Sequence, residues 1–383
     1  MKRRVIILGS TGSIGRSTLD VLARLRDEWE VVALAARSNV AMLSSQAAAF
    51  RPEAVAISDG AAESSLDSAL LDGVTVFQGD GALVQLVDSV ACDCVVCAVV
   101  GMSGLRATMR AVELGRRVAL ANKEALVTAG SLLVPLAERT GAAIIPVDSE
   151  HSAIFQVLDG RRGEEVGRVF LTASGGPFRT LSPAAMDEVT VEEALKHPTW
   201  NMGPKITIDS ATMMNKALEI VEAHWLFRLS AEQIQVVVHP ESIIHSIVEF
   251  IDGSMIAQLG TPDMRTPIQY ALTYPARRPC PSKRLNLIEA GQLNLLAPDG
   301  ERFPALRLGY EAVRRGGTSG AVLNAANEAA VCLFREGAIG FCDIARYTEQ
   351  ALRQHAFIAE PTLDELLTAD QWARDEVARC MLC

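Results

Sequence analysis

The sequence predicts an α/β protein with a Rossmann-like, doubly wound domain, an α+β domain and a small helical domain. Three observations predict this fold class. Short apolar runs alternate with helical patterns over the first 150 residues, a glycine-rich turn follows the first run, and helical periodicity dominates from Pro304 onward. Strands that are apolar on both faces and separated by helices are typical of a parallel sheet covered on both sides.

Length and charge limit the classes of protein to consider. The chain has 383 residues and a formal net charge of −10, with 49% apolar and 21% charged residues. At roughly 150 residues per domain, this length predicts two or three domains. The composition excludes a disordered chain, a collagen and a disulfide scaffold. The acidic balance argues against nucleic-acid and membrane partners, which require a broad positive field, but small anionic ligands need only a local basic pocket.

The amino terminus and the cysteines predict a cytoplasmic protein. The apolar run Val5–Leu8 is too short for a secretion signal, and no run approaches the ~20 apolar residues of a membrane span. We expect the eight cysteines to be reduced thiols. Cys94 and Cys97 have the spacing of a zinc ligand pair, but no second pair accompanies them.

The first domain, residues 1–148, is predicted from alternating strands and helices. Helical patterns occur at residues 16–25, 105–114 and 124–138. Strands are expected at residues 5–8, 31–35, 54–57, 95–100, 118–120 and 143–147.

From residue 149 onward the pattern of predicted strands and helices changes. The second domain, residues 149–273, has strand patterns at 169–172, 236–238, 246–250 and 255–259, and the Asp252-Gly253 pair between the last two indicates a hairpin. Residues 175–204, rich in Gly, Pro, His and Trp, predict a mobile loop. Residues 274–300 are interpreted as a linker and residues 301–383 as the helical domain.

The glycine-rich turn Gly9-Ser-Thr-Gly-Ser-Ile-Gly15 follows the first strand and opens a helix. Glycines permit close approach of a pyrophosphate, and the helix N-terminus supplies free N–H groups. The spacing is GxxGxxG rather than GxGxxG, so a tight turn without a ligand is the alternative. The position of the turn favours a dinucleotide site.

The end of the second strand favours NADP over NAD. An NAD site usually has Asp or Glu there, whereas this chain has Arg37-Ser38-Asn39. A cation and a hydroxyl suit a 2′-phosphate. A solvated surface arginine is the alternative.

Asp148-Ser149-Glu150 ends another strand, where ligands gather in an open α/β sheet. Carboxylates at i and i+2 of an extended chain share one side and repel each other unless a cation lies between them. Capping of the following helix is the alternative explanation.

The segment 209–219 is the most polar helix start of the second domain. Asn215, Lys216 and Glu219 share one helix face, which could bind phosphate and metal together or be an exposed face with a Lys–Glu pair. Ser174-Gly175-Gly176 can form an anion nest after a strand. The segment from His197 to Gly203 combines a polar His with Trp and Met, which is typical of a lid.

Taken together, these strings resemble one family over essentially the whole chain. GSTGSIG, ANKE (121–124), PVDSEH (146–151), SGGPF, HPTWNMG, DSATMMNKALE and TPDMRTPI (261–268) occur in the order found in 1-deoxy-D-xylulose 5-phosphate reductoisomerases. The resemblance implies conversion of that sugar phosphate to 2-C-methyl-D-erythritol 4-phosphate, in the non-mevalonate route to isoprenoids. It also implies NADPH, a divalent cation (Mg²⁺, Mn²⁺ or Co²⁺) and a homodimer.

The resemblance further implies a role for individual residues. Lys123 and Glu150 would be catalytic, and Trp200 and Met202 would close over the site. The metal ligands would be Asp148, Glu150 and Glu219. Substrate contacts would come from Lys123, Ser149, Glu150, Ser174, His197, Ser210, Asn215, Lys216 and Glu219. Cofactor contacts would come from Thr11, Gly12, Ser13, Ile14, Arg37, Asn39, Asn122, Glu124 and Gly203.

One departure and two alternatives accompany the resemblance. Some relatives have glycine-lysine-asparagine where this chain has Arg37-Ser38-Asn39, which leaves the contacts to the 2′-phosphate open.

The alternative functions are a metal-independent NADP dehydrogenase and a non-catalytic NADP sensor. Asn324, Asn327 and Glu328 of the last domain are interpreted as structural.

Overall fold

The chain forms two compact units, each built from separate stretches of sequence. The computed structural model describes residues 1–59, 73–159, 163–200 and 202–381. The first unit comprises Met1–Ala125, Leu133–Ser152 and Asp263–Lys283. The second comprises Leu126–Leu132, Ala153–Pro262 and Arg284–Cys383. The predicted α/β fold class is confirmed, and the three-domain division stays a prediction.

Strands of the first unit form a seven-stranded parallel sheet with the order β4-β3-β2-β1-β5-β6-β7. The order reverses between β1 and β5, so their carboxyl ends border the crevice where ligands bind in doubly wound sheets. Both central strands are buried apart from the first residues of β1. The strands are β1 (Arg3–Leu8), β2 (Trp29–Ala36), β3 (Ala54–Ile57), β4 (Thr75–Gln78), β5 (Cys94–Cys97), β6 (Arg117–Leu120) and β7 (Ile144–Pro146).

A four-stranded mixed sheet with the order β11-β10-β8-β9 lies in the second unit. Its strands are β8 (Val166–Ala173), β9 (Ile234–Val238), β10 (Ile244–Phe250) and β11 (Met255–Leu259). The antiparallel pair β10–β11 confirms the predicted hairpin, with Gly253 at φ +84° in its turn. The sheet alternates buried and partly exposed residues, which agrees with one face packed on the core.

The helices are defined by the following bounds. Those up to residue 158 are α1 (Ser13–Arg24), α2 (Val40–Phe50), α3 (Ala82–Ser89), α4 (Leu105–Glu113), α5 (Lys123–Thr140) and α6 (Ser149–Leu158). The next are α7 (Pro183–Met186), α8 (Val191–Ala194), α9 (Pro204–Ala211), α10 (Met214–Phe227) and α11 (Arg265–Thr273). The last are α12 (Leu287–Ala290), α13 (Ala305–Arg315), α14 (Ser319–Arg335), α15 (Phe341–Gln354) and α16 (Leu363–Cys380). No helix among the described residues is long and apolar enough to cross a membrane.

Two strand predictions for the first unit differ from the structure. β5 ends at Cys97 rather than at Val100, because a 3₁₀ turn with positive φ at Gly101 follows it. The Asn122 amide binds the carbonyls of Val99 and Gly101 and holds this turn. β4 was not predicted, since its four residues begin and end with polar side chains and leave only a short apolar signal.

Residues 175–204 carry short helices rather than an irregular loop throughout. α8 begins with a capping box, in which Thr190 and Glu193 each bind the other's backbone N–H. Met186, Val189 and Ala194 are buried. The described part of this segment is therefore anchored in its middle, and the predicted mobility stays a prediction for its remaining residues.

α11 packs in the first unit, although it follows the second sheet in sequence. Its Arg265 binds Asp20 of α1 at 3.1 Å, and Arg278 binds Glu28 at 3.0 Å. Ile268 and Leu272 are fully buried. The stretch Asp263–Lys283 thus completes the first unit after more than 100 residues of intervening chain.

Candidate active site

The glycine-rich turn between β1 and α1 has the geometry of a phosphate-binding loop. Gly9 has φ +86°, and a Cβ there would lie 2.5 Å from the Ala98 carbonyl oxygen, so only glycine fits. Gly12 is the N-cap of α1 and has no side chain to bind the first N–H groups of the helix. Thr11, Gly12, Ser13 and Ile14 are all partly or fully exposed. This loop therefore offers accessible N–H donors to an anion.

Gln46 supports the glycine-rich turn through two hydrogen bonds, and the sequence analysis does not predict this role. Its Oε1 accepts a hydrogen bond from Ser10 Oγ at 2.7 Å, and its Nε2 donates to the Ser10 carbonyl at 2.9 Å. Both residues are buried. A contact between residues 36 apart leaves no local pattern that could have revealed it.

The end of β2 presents an exposed cation beside a helix cap. Arg37 is exposed and follows the last residue of β2. Asn39 is the N-cap of α2, and its side chain accepts from the N–H of Met42 at 3.1 Å. The side-chain oxygen of Asn39 therefore serves the helix, while the Arg37 guanidinium faces solvent.

Asn122 and Glu124 lie where β6 passes into α5. The Asn122 side chain caps α5 by accepting from the N–H of Ala125 at 2.9 Å, in addition to its bonds to the turn after β5. Asn122 is only 2% exposed and Glu124 is also buried. Asn122 thus fixes the backbone beside the sheet edge, and its contact with a cofactor stays a prediction.

Asp148 lies just after β7 and has two groups of partners in the first unit. Its Oδ2 pairs with Lys123 Nζ at 2.8 Å, in a site where both side chains are at most 12% exposed. Its Oδ1 accepts from the N–H of Glu150 at 3.0 Å and contacts His151 Nδ1 at 3.1 Å, so Asp148 does cap α6. Glu150 accepts from Ser149 Oγ at 2.5 Å. Asp148 therefore caps α6 and also belongs to a buried ion pair, so the two explanations of this carboxylate do not exclude each other.

In the second unit, α10 presents the predicted polar face. Asn215 Nδ2 donates to Glu219 Oε1 at 2.6 Å, and Lys216 Nζ forms an ion pair with Glu219 Oε2. Lys216 is 3% exposed and Glu219 is 1% exposed. Because both side chains are buried, they are not a solvated surface pair. Each charge is instead compensated by the other inside the protein.

Ser174 and His197 meet in the second unit. The His197 Nδ1 accepts from the N–H groups of Thr199 and Trp200, at 3.1 and 2.9 Å, which makes its Nε2 the protonated nitrogen. This Nε2 lies 3.0 Å from Ser174 Oγ. Burial, and secondarily the positive charge of Arg179, lowers the pKa of His197 below its ordinary 6.5, which favours the neutral ring.

The nest after β8 lies directly against α9. A Cβ on Gly176 would lie 2.7 Å from the carbonyl oxygen of Ser210, and Gly176 has φ +66°. Only glycine allows this approach. The structure therefore brings the Ser174 loop and Ser210 together, as a shared anion site requires.

The predicted residues are thus divided between the units. Asp148, Ser149, Glu150, Lys123 and the glycine-rich loop lie in the first unit. Ser174, His197, Ser210, Asn215, Lys216, Glu219 and Gly203 lie in the second, where Trp200 and Met202 are half-buried.

A doubly wound sheet with a phosphate-binding turn, together with buried lysine–carboxylate pairs in both units, defines a dinucleotide-dependent enzyme with an anionic substrate. Three family models match the chain: 1-deoxy-D-xylulose 5-phosphate reductoisomerase over residues 5–130, and two C-terminal domains of that enzyme over residues 144–227 and 259–376. The chain belongs to the 1-deoxy-D-xylulose 5-phosphate reductoisomerase family, as the sequence resemblance predicts.

Similar proteins match over nearly their whole length. A reductoisomerase of this name from Chlorobium chlorochromatii is 53% identical over 376 residues, covering 97% of this chain and 98% of the relative. One from Exiguobacterium sibiricum is 50% identical, covering 99% of each chain. The Zymomonas mobilis enzyme in complex with NADPH has a TM-score of 0.94 at 44% identity, covering 100% of this chain and 99% of that one.

A further solved structure contains several ligands. It is a 1-deoxy-D-xylulose 5-phosphate reductoisomerase in complex with NADPH, fosmidomycin and magnesium, with a TM-score of 0.92 at 39% identity. It covers 99% of this chain and 98% of its own. These ligands are bound by that relative, and they indicate which ligands should be tested with this chain.

Proposed function

We propose that this chain converts 1-deoxy-D-xylulose 5-phosphate to 2-C-methyl-D-erythritol 4-phosphate, an oxidoreductase reaction that uses NADPH and a divalent cation. The observation that carries the proposal is the set of carboxylates Asp148, Glu150 and Glu219, each held by a neighbouring side chain within its own unit. The chain combines this set with family membership over its full length and with a phosphate-binding turn.

The three carboxylates fit a hard divalent cation. Mg²⁺ and Mn²⁺ prefer oxygen ligands, and carboxylates that face one ion no longer repel each other. Magnesium is bound by a relative, whereas manganese and cobalt are further candidates here. When bound, the cation acts as a Lewis acid on the substrate's oxygen atoms and NADPH donates a hydride.

Ser174 supports the binding of a phosphate group. Its Oγ accepts from His197 Nε2 and from the N–H of Gly176 at 3.2 Å, which occupies both lone pairs. The hydroxyl proton of Ser174 is then directed toward a third group. We assign that group to a phosphate oxygen, with Ser210, Asn215 and Lys216 supplying further contacts.

Lys123 and the lid residues have roles in the chemical steps. The carbon skeleton rearranges when one C–C bond breaks and another forms, and the resulting aldehyde is reduced by addition of one hydride and one proton. Lys123, buried beside Asp148, is the candidate that transfers this proton or stabilises the developing oxyanion, together with Glu150. Trp200 and Met202 exclude water from the reactive intermediate. Both the retro-aldol route and the ketol shift fit these roles.

Cofactor contacts are assigned to the first unit and to Gly203. Thr11, Gly12, Ser13 and Ile14 line the pyrophosphate, with the Gly12 N–H already donating to the Gly9 carbonyl at 3.2 Å, and Arg37 binds the 2′-phosphate. Asn39, Asn122 and Glu124 complete the assignment. Asn39 and Asn122 act through the backbone that they hold.

Oxidation of NADPH by the purified chain, with the deoxypentulose phosphate and Mg²⁺ or Mn²⁺, tests the function. We expect turnover with either metal and loss of turnover on addition of EDTA. Turnover that survives EDTA would identify a metal-independent dehydrogenase. Tight NADPH binding without turnover would identify a non-catalytic sensor.

We further propose a homodimer formed through the edge of the four-stranded sheet. Within the part of the chain that the structure describes, β11 pairs only with β10, which leaves its outer edge open. Ile251, Met255 and Ile256 beside it are 73%, 55% and 38% exposed. An open edge with exposed apolar side chains is suited to pairing with a second copy. The cytoplasmic location stays a prediction from the sequence.

A further inference from the structure

Asp209 of α9 is a buried carboxylate that the reaction does not use. It is 1% exposed. Its Oδ2 pairs with Lys205 Nζ at 2.7 Å, and its Oδ1 accepts from Asn327 Nδ2 of α14 at 2.9 Å. Lys205 lies one turn earlier on the same helix, so Asn327 provides the hydrogen bond that ties Asp209 to a different helix. A buried carboxylate requires such partners, because it has lost its water.

The orientation of the Asn327 amide is determined by Asp209. Asn327 is fully buried, and among the residues that the structure describes its Oδ1 has no hydrogen-bond partner. Rotation of the amide would place this oxygen against the carboxylate of Asp209, which is repulsive. Asn327 therefore keeps an unpaired acceptor while it donates to Asp209. Among the described residues Asn324 of α14 also has an unpaired Oδ1, but it donates to Glu328, so the bond to Asp209 is what distinguishes Asn327.

We propose that Asn327 is a positioning residue that sets the place of Ser210, and with it the phosphate end of the substrate site. Ser210 follows Asp209 directly, and its carbonyl oxygen lies against Gly176 of the Ser174 loop. A displacement of Asp209 consequently shifts one proposed phosphate contact relative to the other. The inference rests on the proposed function, because that function makes the group bound there a phosphate.

The same contact reaches the end of the lid segment. Lys205 is the second residue of α9, and Gly203 is the N-cap of that helix. Asn327 thus ties the last turn of α9 to α14, and the Lys205–Asp209 ion pair extends this network to the first turn of α9. The dinucleotide loop lies in the first unit and is held by Gln46, so it does not depend on Asn327. Substrate binding and cofactor binding are therefore expected to respond differently.

Steady-state kinetics of Asn327→Leu test the proposal. The variant keeps a similar volume and removes the donor to Asp209. We expect the KM for the sugar phosphate to rise about tenfold or more, as loss of a hydrogen bond to a charged group predicts, with the KM for NADPH within about twofold. The matched control is Asn324→Leu, since Asn324 is equally buried on the same helix and its side chain reaches Glu328 at 3.4 Å.

An exchange variant keeps the test decisive if Asn327→Leu does not fold. Asp209→Asn combined with Asn327→Asp restores an amide–carboxylate hydrogen bond with the roles reversed, at constant charge and volume. We expect its KM for the sugar phosphate to fall below that of either single variant. An unchanged KM in Asn327→Leu, an equal rise in Asn324→Leu, or a parallel rise in the KM for NADPH would overturn the proposal.

Binding of inorganic phosphate, measured by calorimetry, separates this proposal from the proposed function. Weaker phosphate binding by Asn327→Leu supports the positioning role even if the wild type does not convert the sugar phosphate. Turnover by the wild type with equal phosphate affinities for the wild type and Asn327→Leu would overturn the positioning role alone.

Discussion

At the scale of the residue, each candidate carboxylate has a partner within its own unit. Lys123 neutralises Asp148, and Lys216 neutralises Glu219. These lysines allow the carboxylates to be buried, because each ion pair has no net charge. Removing one member of such a pair leaves the other buried and unpaired.

Glu219→Gln is expected to reduce turnover to below about a hundredth of the wild-type rate, because it removes a proposed metal ligand. NADPH affinity, measured by fluorescence titration, should stay within about threefold, since the dinucleotide loop lies in the other unit. Glu289→Gln, at an exposed position, is the control. A near-normal rate in Glu219→Gln would contradict the metal assignment.

Arg37→Ala is expected to raise the KM for NADPH by about tenfold or more, because a charged hydrogen bond to the 2′-phosphate is lost. The KM for NADH should change little. Arg24→Ala, an exposed arginine of α1, controls for general charge. Equal losses for both cofactors would exclude the 2′-phosphate role of Arg37.

His197 predicts a dependence of stability on pH. Its pKa in the folded protein is lowered from 6.5, so below pH 6.5 the unfolded chain binds more protons than the folded one. The contribution of His197 to stability is therefore present above pH 6.5 and declines as the pH falls toward the folded-state pKa. Thermal unfolding of the wild type and His197→Gln across this window measures it. His355, whose pKa burial also lowers, remains in both proteins, so identical pH profiles would refute the effect.

The sequence predicts the charged residues of the site better than the residues that hold them. Lys216 and Glu219 share a local helix spacing, and Asp148 follows a recognisable strand. Gln46 and Asn327 contact residues that lie 36 and 118 positions away. Only the tertiary fold brings such pairs together, so no local pattern indicates them.

At the scale of the element, the turn between β1 and α1 is rigid for two reasons. Gly9 approaches the chain after β5 too closely for any side chain, and Gln46 of α2 clamps Ser10 through two hydrogen bonds. A turn that is already in place loses little entropy when it binds a ligand. The element therefore favours cofactor binding before any contact with the cofactor is made.

Gln46→Leu should raise the KM for NADPH about fivefold to tenfold, because two neutral hydrogen bonds to the turn are lost. The KM for the sugar phosphate should remain unchanged. Kinetics of Gln85→Leu, an exposed position on α3, provide the comparison. An unaltered KM for NADPH in Gln46→Leu would show that the turn needs no support from α2.

Long apolar runs make most elements predictable. The central strands and the last four helices follow from periodicity, because burial imposes it. β4 is not predicted from the sequence because it is short and lies at the edge of the sheet. The short helices α7 and α8 are not predicted because each has only four residues, which is too few to show a helical period.

At the scale of the whole molecule, the open edge of β11 determines the expected assembly. Ile251→Glu places a charge in the proposed contact between copies, and we expect it to shift the protein from dimer to monomer. Sedimentation analysis measures the change. Leu114→Glu, at an exposed position of the first unit, is the control. A wild-type protein that sediments as a monomer would contradict the homodimer.

The separation of the first unit into three stretches has a consequence for biosynthesis. Its last stretch ends at Lys283 and supplies α11, whose Ile268 and Leu272 are fully buried. A nascent chain that has emerged only to residue 148 already contains all seven strands of the parallel sheet. It still lacks the helix that pairs with Asp20 of α1. All four strands of the second sheet are translated before this last stretch, so the first unit stays incomplete, and open to aggregation, until residue 283 has emerged.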